Sequence, residues 1–239
     1  MFSGRRVAAL TGLEPSEWKE LRRVFPALPS APGPRAAARR LLLRRLAARR
    51  LATGRWNARL AGAPPAVSPT VYVSAHLGSL QGLRYTLRAR GILVANVLGP
   101  HNLERTEAAR QDRVFDARHA LDFPHVFPAA RVHALRSALR RGSLIVTADQ
   151  PDGRGVEAPF LGGRLRLDSR PFRLARGAGV PCRPAFLSLP GGRWTLSLGN
   201  PLPDGEEDAL DAFARMLAAV AARSPLDLDG PVYRALTRS

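Results

Sequence analysis

A chain of 239 residues, 45% apolar and 23% charged, has the composition of an ordinary globular protein and is long enough to bury one substantial core. Its formal net charge of +18 favours anionic partners, and its single cysteine, Cys182, excludes an internal disulfide framework and any cysteine-based zinc cluster within one chain. The charge is uneven: from Leu21 to Leu103 there is no Asp or Glu, but there are fourteen arginines. Lys19 is the only lysine; a coding bias would explain Arg over Lys but not the missing acids.

The opening "MFSGRRVAALTGLEPSEW" carries paired arginines, but its apolar stretch before Glu14 is too short for a signal-peptide core. Residues 14–26 read as a short helix with Glu14, Glu17 and Glu20 early in it, and the Pro/Ala/Gly-rich "PALPSAPGP" that follows reads as a linker. Arg35 to Ala52 is strong helix former throughout, with Arg pairs every five residues that wind around the axis. Only a thin stripe through Ala37, Leu41, Ala48 and Ala52 is free of charge, which suits a basic helix with a narrow docking seam better than an amphipathic membrane helix. The uncharged segment Ala61 to Leu83 is broken by Pro64, Pro65 and Pro69, so no transmembrane span is expected and membrane contact would be peripheral.

From there the elements alternate. "TVYVSA" reads as a strand, Ser79 to Arg90 as a helix, "ILVANV" as a strand and Leu103 to Phe115 as a helix. Pro124 and Pro128 bracket an irregular piece before a helix over Ala129 to Arg141. "SLIVTA" is a strand ending at Asp149, "PDGRG" a turn, and "VEAPFL" a short strand entering Gly162–Gly163. Ser169 to Arg176 reads as a helix ending near Gly177, and "PCRPAFLSL" and "RWTLSLG" as strands around Gly191–Gly192. Glu206 to Arg223 is a helix with acids in its first turn, where the helix dipole favours them. This order predicts a single-domain α/β sandwich with a central, largely parallel sheet flanked by helices. The expected boundaries are a basic helical extension over 1–60, the α/β domain over 61–223 and a tail over 224–239.

In open α/β sheets, sites gather at the carboxyl ends of strands. Two polar clusters fall there: His76, after "TVYVSA", and Asp149–Gln150, after "SLIVTA". Beside His76, Gly78 permits close backbone approach, Ser79 can cap the next helix, and Gln81 on its first turn can reach back toward the imidazole. His101, His119, His125 and His133 have no metal-ligand spacing, so no metal is expected. Cys182, inside "VPCRPAFLSL", reads as a small core residue. Gln81 has the length of a glutamate without its charge, so a carboxylate for His76 has to come from Glu104 or later, and Asp149 is the best-placed candidate.

"HLGSLQ" resembles the His-x4-Asp/Glu motif of the bacterial lipid A late acyltransferases and their phosphatidylinositol mannoside relatives, of the lysophospholipid acyltransferase superfamily. "RRGSLIVTADQPDGRGVEAPFLGGRLRLDSRPFRLARGAGVPCRPAF" is similar to their block of strand, Asp-Gln, turn, "FFG"-like loop, helix and returning strand. The resemblance covers residues 66–202; the N-terminal anchor usual in the lipid A enzymes is absent, and "SPLDLDGPVYRALTRS" matches poorly. It implies a glycerol-3-phosphate acyltransferase-like fold and transfer of an acyl group from a thioester, on acyl carrier protein or coenzyme A, to a hydroxyl of a lipid or glycolipid, with no cofactor. His76 and Gln81 would then hold the catalytic positions. Asp149 and Gln150 take a substrate-side or structural role, and Phe160, Leu161, Gly162 and Gly163 line the reacting centre. Arg118, Arg154, Arg164 and Arg170 lie where phosphates would be held.

Three functional readings follow: an active acyltransferase working at the inner face of the cell membrane, an impaired relative that binds lipid or acyl carrier protein without turnover because Gln81 replaces the acid, and a basic nucleic-acid-binding domain. The last has few aromatics interleaved with the arginines and none of the standard recognition motifs.

Overall fold

The computed structural model describes residues 15–29, 58–65, 68–99, 123–149 and 155–228, together with single positions 42, 46, 50 and 53. The expected helix over Leu103 to Phe115 lies outside the described residues, as do Arg118, Gln150 and Arg154. Of the expected Arg35–Ala52 helix, only Leu42, Leu46 and Arg50 are described; they are helical and exposed.

The fold is α/β, built on a mostly parallel seven-stranded sheet. In chain order the strands are β1 (Arg59–Gly62), β2 (Val71–Ser74), β3 (Val94–Leu98), β4 (Val126–Pro128), β5 (Ser143–Thr147), β6 (Val156–Phe160), β7 (Gly163–Leu167), β8 (Cys182–Ser188) and β9 (Thr195–Leu198). Among the described residues the continuous helices are α1 (Pro15–Val24), α2 (Leu80–Arg88), α3 (Val132–Ala138), α4 (Arg170–Ala178) and α5 (Glu206–Arg223). The sheet order is β1-β9-β8-β2-β5-β3-β4, and only the β8–β9 pair within it is antiparallel; β6 and β7 form a separate antiparallel hairpin.

β2 lies at the centre of this order and is buried along its whole length, which is why "TVYVSA" is a nearly continuous apolar run. Side-chain alternation divides it between two layers. Tyr72 joins Leu83, Leu87, Ile145 and Trp194 on the α2 side. Val73 and Ala75 join Phe172, Phe186, Phe213 and Leu217 on the side covered by α1, α5 and the hairpin. α5 buries a stripe of Ala209, Leu210, Phe213, Ala214, Leu217, Val220 and Ala221, its Glu206, Glu207 and Asp208 occupying the first turn as the sequence pattern predicts.

Three strands escaped the sequence pattern. β1 is four residues with an exposed face, β4 is three residues beside two prolines, and β7 alternates Arg with Leu, so it reads as a polar run until β6 is opposite it. The boundary at residue 60 also moves. Trp18, Leu21, Phe25 and Leu28 are buried in the cluster that holds Phe160 and Phe213, and β1 extends the sheet edge beside β9. At the other end, Leu228 belongs to that same cluster and Asp227 is fully buried, so residues 224–228 are part of the domain rather than tail.

Candidate functional site

β2 and β5 are parallel neighbours in register, Ser74 opposite Thr147, and Ala148 N–H still donates to Ser74 C=O at 2.9 Å beyond the strand ends. The next two residues therefore leave the sheet side by side, and these are His76 and Asp149. His76 Nδ1 lies 3.0 Å from Asp149 Oδ1, and the backbone N–H of His76 donates to Asp149 Oδ2 at 2.7 Å. The carboxylate is fully buried whereas the imidazole keeps 24% of its side-chain surface. A buried carboxylate is costly unless hydrogen-bonded; here both oxygens accept from one residue. An ionised carboxylate only accepts, so Nδ1 carries a proton, and in the neutral imidazole Nε2 is the basic nitrogen.

The loop that carries His76 is fixed from several directions. Leu77 N–H donates to Ala75 C=O at 2.7 Å, closing a three-residue turn centred on His76. Gly78 has φ +76°, and a Cβ on it would collide with the carbonyl oxygen of Leu187 in β8. Gly78 N–H donates to Asp227 C=O at 2.7 Å, and Leu77 bridges Leu228 in antiparallel fashion. Asp227 in turn accepts the buried Leu189 N–H on Oδ2 at 2.6 Å. Ser79 closes the loop by capping α2, its hydroxyl accepting from Gly82 N–H at 3.0 Å.

Gln81 stands on the first turn of α2 as expected, but its side chain takes another partner. Its amide Nε2 donates to the Tyr85 hydroxyl at 2.8 Å, one helical turn along, and Tyr85 is buried in the α2-side core. The carboxylate in contact with the imidazole is that of Asp149.

The other expected site residues are distributed differently. Phe160 and Gly163 flank a two-residue hairpin turn in which Leu161 (φ 47°) and Gly162 (φ 81°) both have positive φ, as a type I′ turn requires. Phe160 is buried edge-on against Phe25 at 5.1 Å, and Leu161 C=O accepts from Ala27 N–H at 2.9 Å. A Cβ on Gly163 would collide with the carbonyl oxygen of Val24. These four residues are occupied in packing the N-terminal segment onto the hairpin. Arg164 pairs with Glu157 at 2.8 Å on an exposed surface. Arg170 pairs with Asp168 at 2.6 Å, and Asp168 N–H donates to Ala148 C=O, next to Asp149. Asp168 and Asp227 were not singled out from the sequence. The signal for Asp168 was its place just before the Ser-Arg-Pro start of a helix; nothing in "SPLDLDG" marks Asp227.

Burial pushes the Cys182 thiol up to about 12, so at neutral pH it is protonated; the residue is half-buried and packs against the core rather than lying within it. Among the described residues no group of three or more His, Cys, Asp or Glu could hold a metal ion, and no helix is long and apolar enough to cross a membrane. Compared with protein families and with curated proteins, the chain matches no family model and no curated protein.

Proposed function

We propose that the protein is an acyltransferase that moves a fatty acyl group from a thioester donor to a hydroxyl of a lipid or glycolipid. The observation that carries this reading is the His76–Asp149 pair: an imidazole with a buried carboxylate on Nδ1, at the carboxyl ends of adjacent parallel strands. A hydroxyl is a weak nucleophile until a base takes its proton during attack, and a neutral imidazole whose Nδ1–H is held by a carboxylate offers Nε2 as such a base near pH 7. In the proposed reaction, Nε2 accepts the hydroxyl proton as the oxygen bonds to the thioester carbon. Asp149 stabilises the imidazolium, the C–S bond breaks, and the proton passes to the departing thiolate. α2 starts at the same edge, where its dipole suits the developing negative charge. The resemblance of "HLGSLQ" and of the 140–186 block to the lipid A late acyltransferases supports the same chemistry, with Asp149 filling the place of the motif acid.

Peripheral work at the inner face of the cell membrane belongs to this proposal. The net charge of +18 and the exposed Leu42 and Leu46, four residues apart, support it. The alternative, an impaired relative, rests on Gln81 being bound to Tyr85 rather than to His76. The deciding experiment supplies purified protein with radiolabelled hexadecanoyl thioesters of acyl carrier protein and of coenzyme A and a mixed lipid acceptor pool. Transfer is expected, abolished by His76→Ala and reduced about 10²–10⁴-fold in kcat by Asp149→Asn, which removes the charge and disturbs the tautomer. Transfer undiminished by His76→Ala would overturn the reading; donor binding without any transfer would favour the impaired relative.

A further inference from the structure

We infer that the cleft between α4 and the segment leading into α5 is a binding site for a free α-amino acid with a bulky apolar side chain, separate from the His76 site. The cleft encloses about 610 Å³, within the range of about 300–1,000 Å³ usual for small-molecule sites. One wall is α4, with Arg173 and Arg176; the other carries Asp204 and Glu206. None of these four side chains makes a hydrogen bond among the described residues. The two guanidiniums reach Glu206 only at 4.0 and 3.9 Å, beyond hydrogen-bond length, so their donors and its carboxylate oxygens are available to a ligand. Helix dipoles account for Arg176 in the last turn of α4 and for Glu206 in the first turn of α5, but not for Arg173 in the middle of α4.

The frame of the cleft is fixed by the fold. Leu202 N–H donates to Cys182 C=O at 2.8 Å, joining the two walls at the floor, and Val180 N–H closes the end of α4 on Ala175 C=O at 3.1 Å. Pro181, Pro201 and Pro203 stiffen the backbone on both sides through their fixed φ. Charge narrows the occupant. A simple anion would face two carboxylates, and a simple cation two guanidiniums. Opposite charges about 4 Å apart call for a ligand whose own carboxylate and ammonium are as close, as they are on one carbon. Phe172, Val180 and Leu202 supply apolar lining for its side chain. Val71 N–H donates to Pro181 C=O and Val71 pairs with Cys182, so the cleft lies at the amino end of β2, whereas His76 follows the carboxyl end. Five residues of extended chain, about 16 Å, separate the two places.

The test is calorimetry on the full chain at pH 7 and low ionic strength with L-phenylalanine, phenylacetate and phenethylamine, which share a ring and differ in their charged groups. L-Phenylalanine is expected to bind with a Kd below about 1 mM, and each analogue that lacks one charge about tenfold or more weakly. L-Alanine, which keeps both charges and loses the ring, should also bind about tenfold or more weakly. Arg173→Ala/Arg176→Ala and, separately, Glu206→Gln are expected to weaken phenylalanine binding about tenfold or more. A control at exposed positions outside the cleft, Arg193→Ala/Arg215→Ala, should stay within about threefold, as should His76→Ala. Circular dichroism melts establish which variants fold; if the α4 pair does not, the milder Glu206→Gln decides. Absence of phenylalanine binding up to about 10 mM would overturn the inference. So would phenylacetate binding as tightly as phenylalanine, equal weakening by the cleft and control variants, or loss of binding in His76→Ala.

Discussion

His76 takes its carboxylate from a residue 73 positions away, and what Gln81 does instead decides how a change at residue 81 should read out. Since Asp149 already occupies Nδ1, Gln81→Glu is expected to bring no gain in turnover: kcat should stay within about threefold, and loss of the amide bond to Tyr85 should cost about 1 kcal/mol in a denaturant melt at most. A tenfold rise would mean that residue 81 supplies the charge after all. The candidate partner was legible in part. Asp149 could be named because an acid at a strand end, in a chain with none between Leu21 and Leu103, is the natural replacement. The direction of Gln81 was not legible, because an amide at that position can turn to the imidazole or to a tyrosine four residues on, and only the burial of Tyr85 decides between them.

At the scale of elements, the β2–α2 loop is shaped by backbone contacts that tolerate no side chain at Gly78. Gly78→Ala is expected to lower stability by about 2 kcal/mol or more, through both the positive φ and the collision with Leu187 C=O, and to depress transfer beyond what the loss of folded protein explains. A thermal melt beside an activity assay separates the two effects; an unchanged melting temperature would contradict the packing described. The alternating strands and helices were readable from periodicity, and α5 from its apolar stripe and first-turn acids. The hairpin was half readable: "VEAPFL" suggested β6, but β7 hid because its arginines alternate on the outward face. For the same reason Phe160 to Gly163 suggested a site loop, when a buried Phe against Phe25 and a turn with two positive φ values make it a packing corner.

For the whole molecule, both ends of the described chain converge on the domain that carries the site. Burial of Trp18, Leu21 and Phe25 was foreshadowed only by their spacing on a short helix, and Asp227 not at all, because a buried acid has no periodic signature. Asp227→Ala leaves the buried Leu189 N–H without its acceptor and is expected to cost about 1–3 kcal/mol, seen as a lower midpoint in urea, while Asp227→Asn keeps an acceptor oxygen and should fall by less than half as much. Equal losses would show that the charge, not the acceptor, matters. One bond described above also sets an order of events in time. Gly78 N–H is held by Asp227 C=O, so the loop that carries His76 is completed by the last described turn of the chain. Contacts between distant segments form late because closing the intervening loop costs entropy first. Return of turnover during refolding should therefore lag behind helical signal, and its lag times the arrival of residues 225–228 at the end of β8.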